Sequence, residues 1–379
     1  MSDCPLYPQC GGCALRKLDE KAYRQQKEDS FKRIASHIKQ ERINFGEPVF
    51  IPDGTRRRAS FTFSFIKKEL HFGFNGVQSH DIIDCDKCLL LTERLNRNLP
   101  SIRALLQELC AEPYTLKKGK KILKQGIIGG EVLVSEADNG IDILFEMSFA
   151  PELNHRMIIS EHLANNSDII RVSWHKAKET TPETILEKAR PMVENSGVAV
   201  FIPSGTFLQA SQAGEQALIK LVMKYIGERG GRVADLFCGV GTFSYPLSQN
   251  INNKILSMDS SEELLAGFKR SVNQNQIKNI KIEARNLFKY PLDKQELSQL
   301  DIVVFDPPRA GAAAQVAELA SCPNGPKVVV AVSCNPHTFV NDANTLIDGG
   351  YTLKEMTMVD QFIYSSHTEL VALFEKENS

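Results

Sequence analysis

After residue 215 the chain alternates short apolar strands with helical stretches: "GRVADLF", "NKILSMD", "NIKIEAR", "LDIVVFD", "PKVVVAVS" and finally "ELVALFE". Strands joined through helices pair as parallel neighbours, with the helices covering the faces of the sheet. This region is therefore expected to form a parallel, doubly wound α/β sheet. Sheets of that kind bind ligands outside the carboxyl ends of their strands, so the polar residues at those ends are the first candidates for function.

They form a series. "VADLFCGVGTF" (233–243) puts an Asp at a strand end, then Gly239 and Gly241 in a tight turn before a helix. Glycine lets the backbone turn sharply and approach a ligand closely. The third glycine of the dinucleotide fingerprint is missing, which argues against NAD. Asp259 in "ILSMDSS" ends the next strand, where a carboxylate can accept hydrogen bonds from both hydroxyls of a ribose. "EARNLF" (Asn286) and "VVFDPPRAG" (Asp306 to Arg309) end two more. A Pro-Pro turn commonly just leaves a strand; here it also suits a rigid shelf for a flat base, with Asp306 presenting its carboxylate. Taken together, the series points to S-adenosylmethionine. In "VVVAVSCNPHTF" (328–339) a strand exits into Cys334. A packed thiol would explain that cysteine if the segment stood alone.

The N-terminal half is organised differently. Residues 4–13 are a cysteine cluster. Residues 19–40 have the periodicity of an amphipathic helix, with Tyr23, Phe31, Ile34 and Ile38 on its apolar side. "RRRASFTFSF" alternates Phe61, Phe63 and Phe65 on one face, and "EVLVSEADNGIDILFE" (131–146) is a hairpin around an Asp-Asn-Gly turn. The expected division is a cysteine segment (1–18), a helix packed on the catalytic domain (19–45), a strand-rich α+β domain (46–195) and the α/β domain (196–379).

The net charge of −1 excludes a globally basic nucleic-acid binder, so any RNA or DNA contact must come from local patches. No signal peptide or membrane-length apolar run is present. Four of the nine cysteines (110, 238, 322 and 334) are scattered singly, unlike a secreted disulfide framework. A cytoplasmic protein with reduced thiols is expected. Cys238 and Cys322 read as core and loop residues.

From "CPLYPQCGGC" through "FLQAS", "DLFCGVGTF" and "DPPRAG" to "SCNP" and "HTELVALF", the whole chain resembles the RNA 5-methyluridine methyltransferase family. The resemblance implies a class I, Rossmann-like S-adenosylmethionine-dependent methyltransferase domain beside a strand-rich α+β domain. It makes Cys334 the nucleophile and Glu369 the base. It places the cofactor against Gln209, Phe237, Gly239, Gly241, Thr242, Asp259, Asn286 and Asp306. The chemistry suits the residue types. Uracil C5 is a weak nucleophile until a thiolate adds at C6 and makes the ring an enolate; that thiolate requires a partly ionised thiol. Apolar neighbours around Glu369 place its carboxylate where a strand enters a buried site. Two departures stand out. Asp259 replaces the family's usual Glu, and "LQAS" replaces its aromatic-Gln-Val-Asn.

Cys10, Cys13, Cys85 and Cys88 have the look of two zinc knuckles, although their separation far exceeds the usual one. Cys4, Cys10, Cys13 and one later cysteine would instead ligate a 4Fe–4S cluster. The resemblance favours the cluster, with Cys88 as fourth ligand and Cys85 spare, and points to the 23S rRNA branch of the family without its N-terminal RNA-gripping barrel. Candidate RNA contacts are "RRR" (56–58), "KKGKK" (117–121) and "KRIASHIKQER" (32–42). No protein partner is implied. Three alternatives remain: a tRNA uracil-C5 methyltransferase, an amino-methyltransferase using "DPPR", and a cluster-bearing RNA-binding protein with a degenerate cofactor pocket.

Overall fold

The computed structural model describes residues 4–118, 121–177, 179 and 181–376. The chain divides into two compact units: Met1–Lys17, Pro52–Val193 and Ile202–Ser211 in the first, and Leu18–Ile51, Glu194–Phe201 and Gln212–Ser379 in the second.

The second unit is built on an eight-stranded sheet in the order Val49–Phe50, Tyr351–Asp360, Glu369–Lys376, Val328–Ser333, Ile302–Phe305, Arg232–Leu236, Lys254–Asp259, Ile280–Ala284. Its strands are near-continuous apolar runs because both faces are covered. Along Ile302–Phe305, residues 303 and 305 enter the core that holds the helices Ala313–Ala320 and Pro336–Asp348. Residues 302 and 304 enter the opposite core, with the helix Gln212–Ile226.

The strands from Ile280–Ala284 through to Val328–Ser333 are parallel, as expected. "ELVALFE" is not. Glu369–Lys376 runs antiparallel to both of its neighbours, one of them the strand Tyr351–Asp360, which the sequence pattern did not reveal. The physical reason is the length of the connection. Residues 361–368 are fewer than the dozen or more that a parallel crossover needs.

The helix Glu20–Ala35 belongs to this unit. Asp19 caps it, its carboxylate accepting from Ala22 N at 2.8 Å, a bond worth about 1 kcal/mol. Its buried face is Tyr23, Lys27, Phe31 and Ala35. The lysine in that stripe is unexpected from apolar periodicity, and the helix stops at Ala35 rather than continuing to residue 40.

The first unit carries a seven-stranded sheet, ordered Glu183–Glu187, Ile169–Lys176, Gly140–Met147, Gly129–Ala137, Arg58–Ile66, Glu69–Asn75, Ile82–Asp84. The hairpin around Asp138-Asn139 forms as expected. One face of this sheet packs on the helices Glu93–Ala111 and Leu153–Ala164 through a core that includes Phe61, Phe63 and Trp174. Among the described residues no helix is long and apolar enough to cross a membrane.

Candidate active site

In the second unit the sheet register assembles the site. Ser333 pairs with Leu370 in the antiparallel ladder between Val328–Ser333 and Glu369–Lys376. Cys334 follows Ser333 and Glu369 precedes Leu370, so thiol and carboxylate meet across the ladder although they are far apart in sequence. Asp306 leaves the neighbouring parallel strand at the same edge, its N–H bonded to Leu236 O at 3.2 Å.

Cys334 is half-buried, immediately before the N-cap Asn335 of the helix Pro336–Asp348. Asn335 accepts from His337 N at 3.2 Å, and its own amide donates to Arg309 O at 3.0 Å. Thr338 Oγ1 donates to the same carbonyl at 3.2 Å. The "DPPRAG" and "SCNP" segments are thus tied together through the backbone of Arg309. A cleft of about 400 Å³ opens above Cys334, lined on other sides by Phe31, Ile34, Arg309, His337, His367 and Thr368.

Burial, then the carboxylates of Asp306 and Glu369, push the Cys334 thiol up to about 11, against a weaker opposing pull from Arg309. Glu369 is itself unusual. It is 3% exposed, and its Oε2 has no hydrogen-bond partner among the described residues. Burial first, and then the Asp306 charge, raise it to about 8, against a hydrogen bond with the Gln361 side chain. Burial raises Asp306 to about 7. Two carboxyl groups raised to about 7 and about 8 therefore lie close to the Cys334 thiol.

The glycine turn lies along the same sheet edge. Gly239 has φ +56° and Gly241 φ +97°. A Cβ on Gly241 would come within 2.6 Å of the Phe268 ring, whereas one on Gly239 would meet nothing within 4 Å. Gly241 is required by packing, and Gly239 faces open space. Phe237 also has a left-handed backbone, φ +60°, which costs a non-glycine residue about 1–2 kcal/mol; its ring lies 5.4 Å from that of Phe288. The Asp259 oxygens already accept backbone N–H groups, from Gly239 at 3.0 Å and Ser261 at 2.9 Å. That carboxylate fixes the turn as well as offering further lone pairs to a ribose. Asn286 accepts from Phe288 N at 3.1 Å and shapes its own turn. Thr242 O accepts from the Asn195 side chain at 3.0 Å. Gln209 lies in the first unit, where it is buried and its carbonyl accepts from Arg57 Nε at 3.2 Å.

The first unit gathers the N-terminal cysteines. Gly11 N bonds to Asn75 O at 3.0 Å, Cys85 N to Phe72 O at 3.0 Å, and Cys88 N to the Asn96 side chain at 2.9 Å. These bonds bring both cysteine segments to one edge of the seven-stranded sheet. Burial, Cys88, and Cys10 push the Cys13 thiol up to about 11, while Arg16 pulls against them. Burial and the charges of Cys88, Cys10 and Cys4 push Cys85 up to about 12. Cys88 is raised by burial and, more weakly, by Cys10 and Cys4. Five thiols thus converge, a soft donor set suited to iron–sulfur or zinc. Among the described residues, however, no three side chains stand at metal-binding geometry.

The basic runs fare unevenly. Arg57 is buried, and Arg56 and Arg58 are half-buried, so "RRR" is not a solvated cationic face. Lys32, Arg33, Lys39 and Arg42 are exposed, although Lys39 pairs with Asp348 at 2.8 Å. In "KKGKK", residues 119 and 120 and the side chains of Lys117, Lys118 and Lys121 lie outside the described residues.

Comparison with known proteins bears on all of this. Residues 192–377 match the family described as tRNA (Uracil-5-)-methyltransferase. An uncharacterized RNA methyltransferase of Rhizobium meliloti is 33% identical over 97% of this chain and 82% of its own length. The 23S rRNA (uracil(1939)-C(5))-methyltransferase of Vibrio parahaemolyticus is 30% identical over 98% of this chain and 81% of its own. The crystal structure of Pyrococcus abyssi tRNA (uracil-54, C5)-methyltransferase, in complex with S-adenosyl-L-homocysteine, matches with a TM-score of 0.72 over 98% of this chain and 86% of that one, at 22% identity, which shows a shared fold. With full-length relatives at this level of identity, the chain belongs to the RNA uracil-C5 methyltransferase family, enzymes that methylate RNA from S-adenosylmethionine.

Proposed function

We propose that this enzyme forms 5-methyluridine in 23S rRNA by covalent catalysis through Cys334. The observation that carries the reading is the ladder that ends at Ser333 opposite Leu370, with Cys334 and Glu369 adjoining that pair and Asp306 just past the end of the adjacent strand. Cys334 passes its proton to the neighbouring Asp306 carboxylate, which leaves Glu369 ionised, and the thiolate adds to uracil C6. The electron density placed on C5 takes the methyl group from the sulfonium. Glu369 removes the C5 proton, and the electrons of that C–H bond reform the ring double bond as the thiolate leaves. The cofactor lies along Phe237, Gly239, Gly241, Thr242, Asp259, Asn286 and Asp306; the open side of Gly239 supports this.

Cys4, Cys10, Cys13 and Cys88 hold a 4Fe–4S cluster, with Cys85 beside it. Their convergence supports a shared thiolate site, and the resemblance carried by the cysteine pattern favours a cluster over zinc. Methyl transfer requires no electron, so its role is structural or lies in docking RNA. The 23S rRNA assignment rests on the cysteine pattern and on likeness along the whole chain to a relative named for that substrate.

Nucleoside mass spectrometry of RNA from a strain lacking the gene tests the substrate. One 5-methyluridine should vanish from 23S rRNA and none from tRNA; loss from tRNA alone would overturn the assignment. RNA carrying 5-fluorouridine should trap a covalent adduct on Cys334, because fluorine at C5 cannot leave as a proton.

A further inference from the structure

The helix Glu20–Ala35 buries two polar side chains that the reaction above does not use. Tyr23 and Lys27 stand one turn apart and face the same side. The Tyr23 hydroxyl donates to Asp360 Oδ2 and accepts the backbone N–H of Tyr364 at 2.9 Å. The Lys27 ammonium lies 2.8 Å from Asp360 Oδ1. It also donates to the carbonyl oxygens of Ser365, at 3.1 Å, and His367. The Lys27 and Asp360 side chains are only 3% and 1% exposed.

An apolar pair of similar volume would hold a helix on a sheet at least as well as a buried ion pair. Stability alone therefore does not account for this one. Its placement does. Asp360 ends one strand, Glu369 begins the next, and the ladder pairs Val359 with Glu369. Between them lies the segment 361–368, and the network grips its backbone at residues 364, 365 and 367. Two turns of the same helix further on, Phe31 and Ile34 wall the cleft beside Cys334.

We propose that Tyr23, Lys27 and Asp360 form a positioning network that holds the 361–368 segment, and through it the Glu369 carboxylate, in place for proton removal at C5. This rests on Glu369 being the base. Lys27→Met keeps the length of the side chain and removes the ammonium. A misplacement of about 1 Å costs about 10²-fold in rate, so kcat should fall on that scale while calorimetric cofactor affinity stays unchanged. Because addition and methyl transfer precede proton removal, the methylated RNA–protein adduct should accumulate on a denaturing gel. Combining Lys27→Met with Glu369→Gln should slow turnover no further than Glu369→Gln alone.

Unchanged kcat, a fall in kcat without adduct, or full additivity in the double variant would reduce the network to a structural brace and overturn the proposal. If Lys27→Met does not fold, Tyr23→Phe decides: it keeps the ring and loses only the hydroxyl, and it should accumulate the same adduct to a smaller extent. Normal turnover by Glu369→Gln itself would remove the base assignment, a result distinct from failure of the network.

Discussion

Cys334 and Cys13 share a raised thiol but lie among different neighbours. Cys334 and Cys13 are each pushed up to about 11, with burial as the leading cause in both. Beyond burial their surroundings diverge. Cys334 faces Asp306 and Glu369, carboxyl groups raised to about 7 and 8 that can exchange protons near neutrality. Cys13 faces other thiols, with Arg16 hydrogen-bonded to it and Arg56 close enough to feel its charge and that of Cys88. Carboxyl groups beside a thiol provide somewhere for its proton to go. Guanidinium groups beside several thiols stabilise lasting anions, which is what a metal-bound set requires. Under the proposed function, this contrast separates a nucleophile from a ligand more clearly than exposure or pKa does.

The largest test of this contrast is Cys334→Ala. Methyl transfer should fall by about 10⁴-fold or more, the scale on which loss of a covalent nucleophile acts, while iron content and cofactor binding stay unchanged. Near-normal methylation by that variant would break the distinction. Next comes Glu369→Gln, which should cost about 10²–10⁴-fold as a lost general base. Its signature is a trapped, methylated adduct rather than unreacted RNA.

At the other site, protein purified without oxygen should be brown with about four iron atoms per chain. Cys88→Ser should lose iron and colour, and Cys85→Ser should retain both. One zinc and no colour would leave the comparison standing but change the metal.

The smallest effects concern pH. The free enzyme's kcat/KM should rise about tenfold per pH unit up to about 8, as Glu369 ionises. Stability runs the other way. A carboxyl raised from 4.5 to about 8 favours the folded state below its unfolded pKa, and that contribution is lost as pH rises through about 8. Glu369→Gln should therefore gain in melting temperature relative to the parent between pH 4.5 and 8, with no further gain above that.

Much of this arrangement was legible in the sequence. The parallel strands announced themselves as separate apolar runs, each ending in a polar residue, and Asp259, Asp306 and Cys334 could be placed at one edge from that pattern alone. The reversed direction of Glu369–Lys376 was not readable, because it follows from the short 361–368 connection to Tyr351–Asp360, a strand that the pattern did not mark. Lys27 left a faint mark as a charge spaced four residues from both Tyr23 and Phe31 within an apolar stripe. Other features had no local signature. Arg57 looks like part of a basic run, yet its burial comes from packing with the segment around Gln209, remote in sequence. The charge coupling of Asp306 with Glu369 and Cys334, which adds to burial in raising both groups, arises only where the sheet register brings them together.

That reversed strand also bears on the order in which the enzyme is made. Glu369–Lys376 inserts between Val328–Ser333 and Tyr351–Asp360, both synthesised before it. Until it arrives, those two strands have no shared neighbour, and the sheet remains divided beside Cys334. Cys334 is thus translated before the gap is filled, and Glu369 enters with the strand that closes the sheet. A nascent chain stalled before residue 369 would carry the thiol without the ladder that sets a carboxylate opposite it. Competence for the complete reaction would therefore come with the closing of the sheet, not earlier on the ribosome.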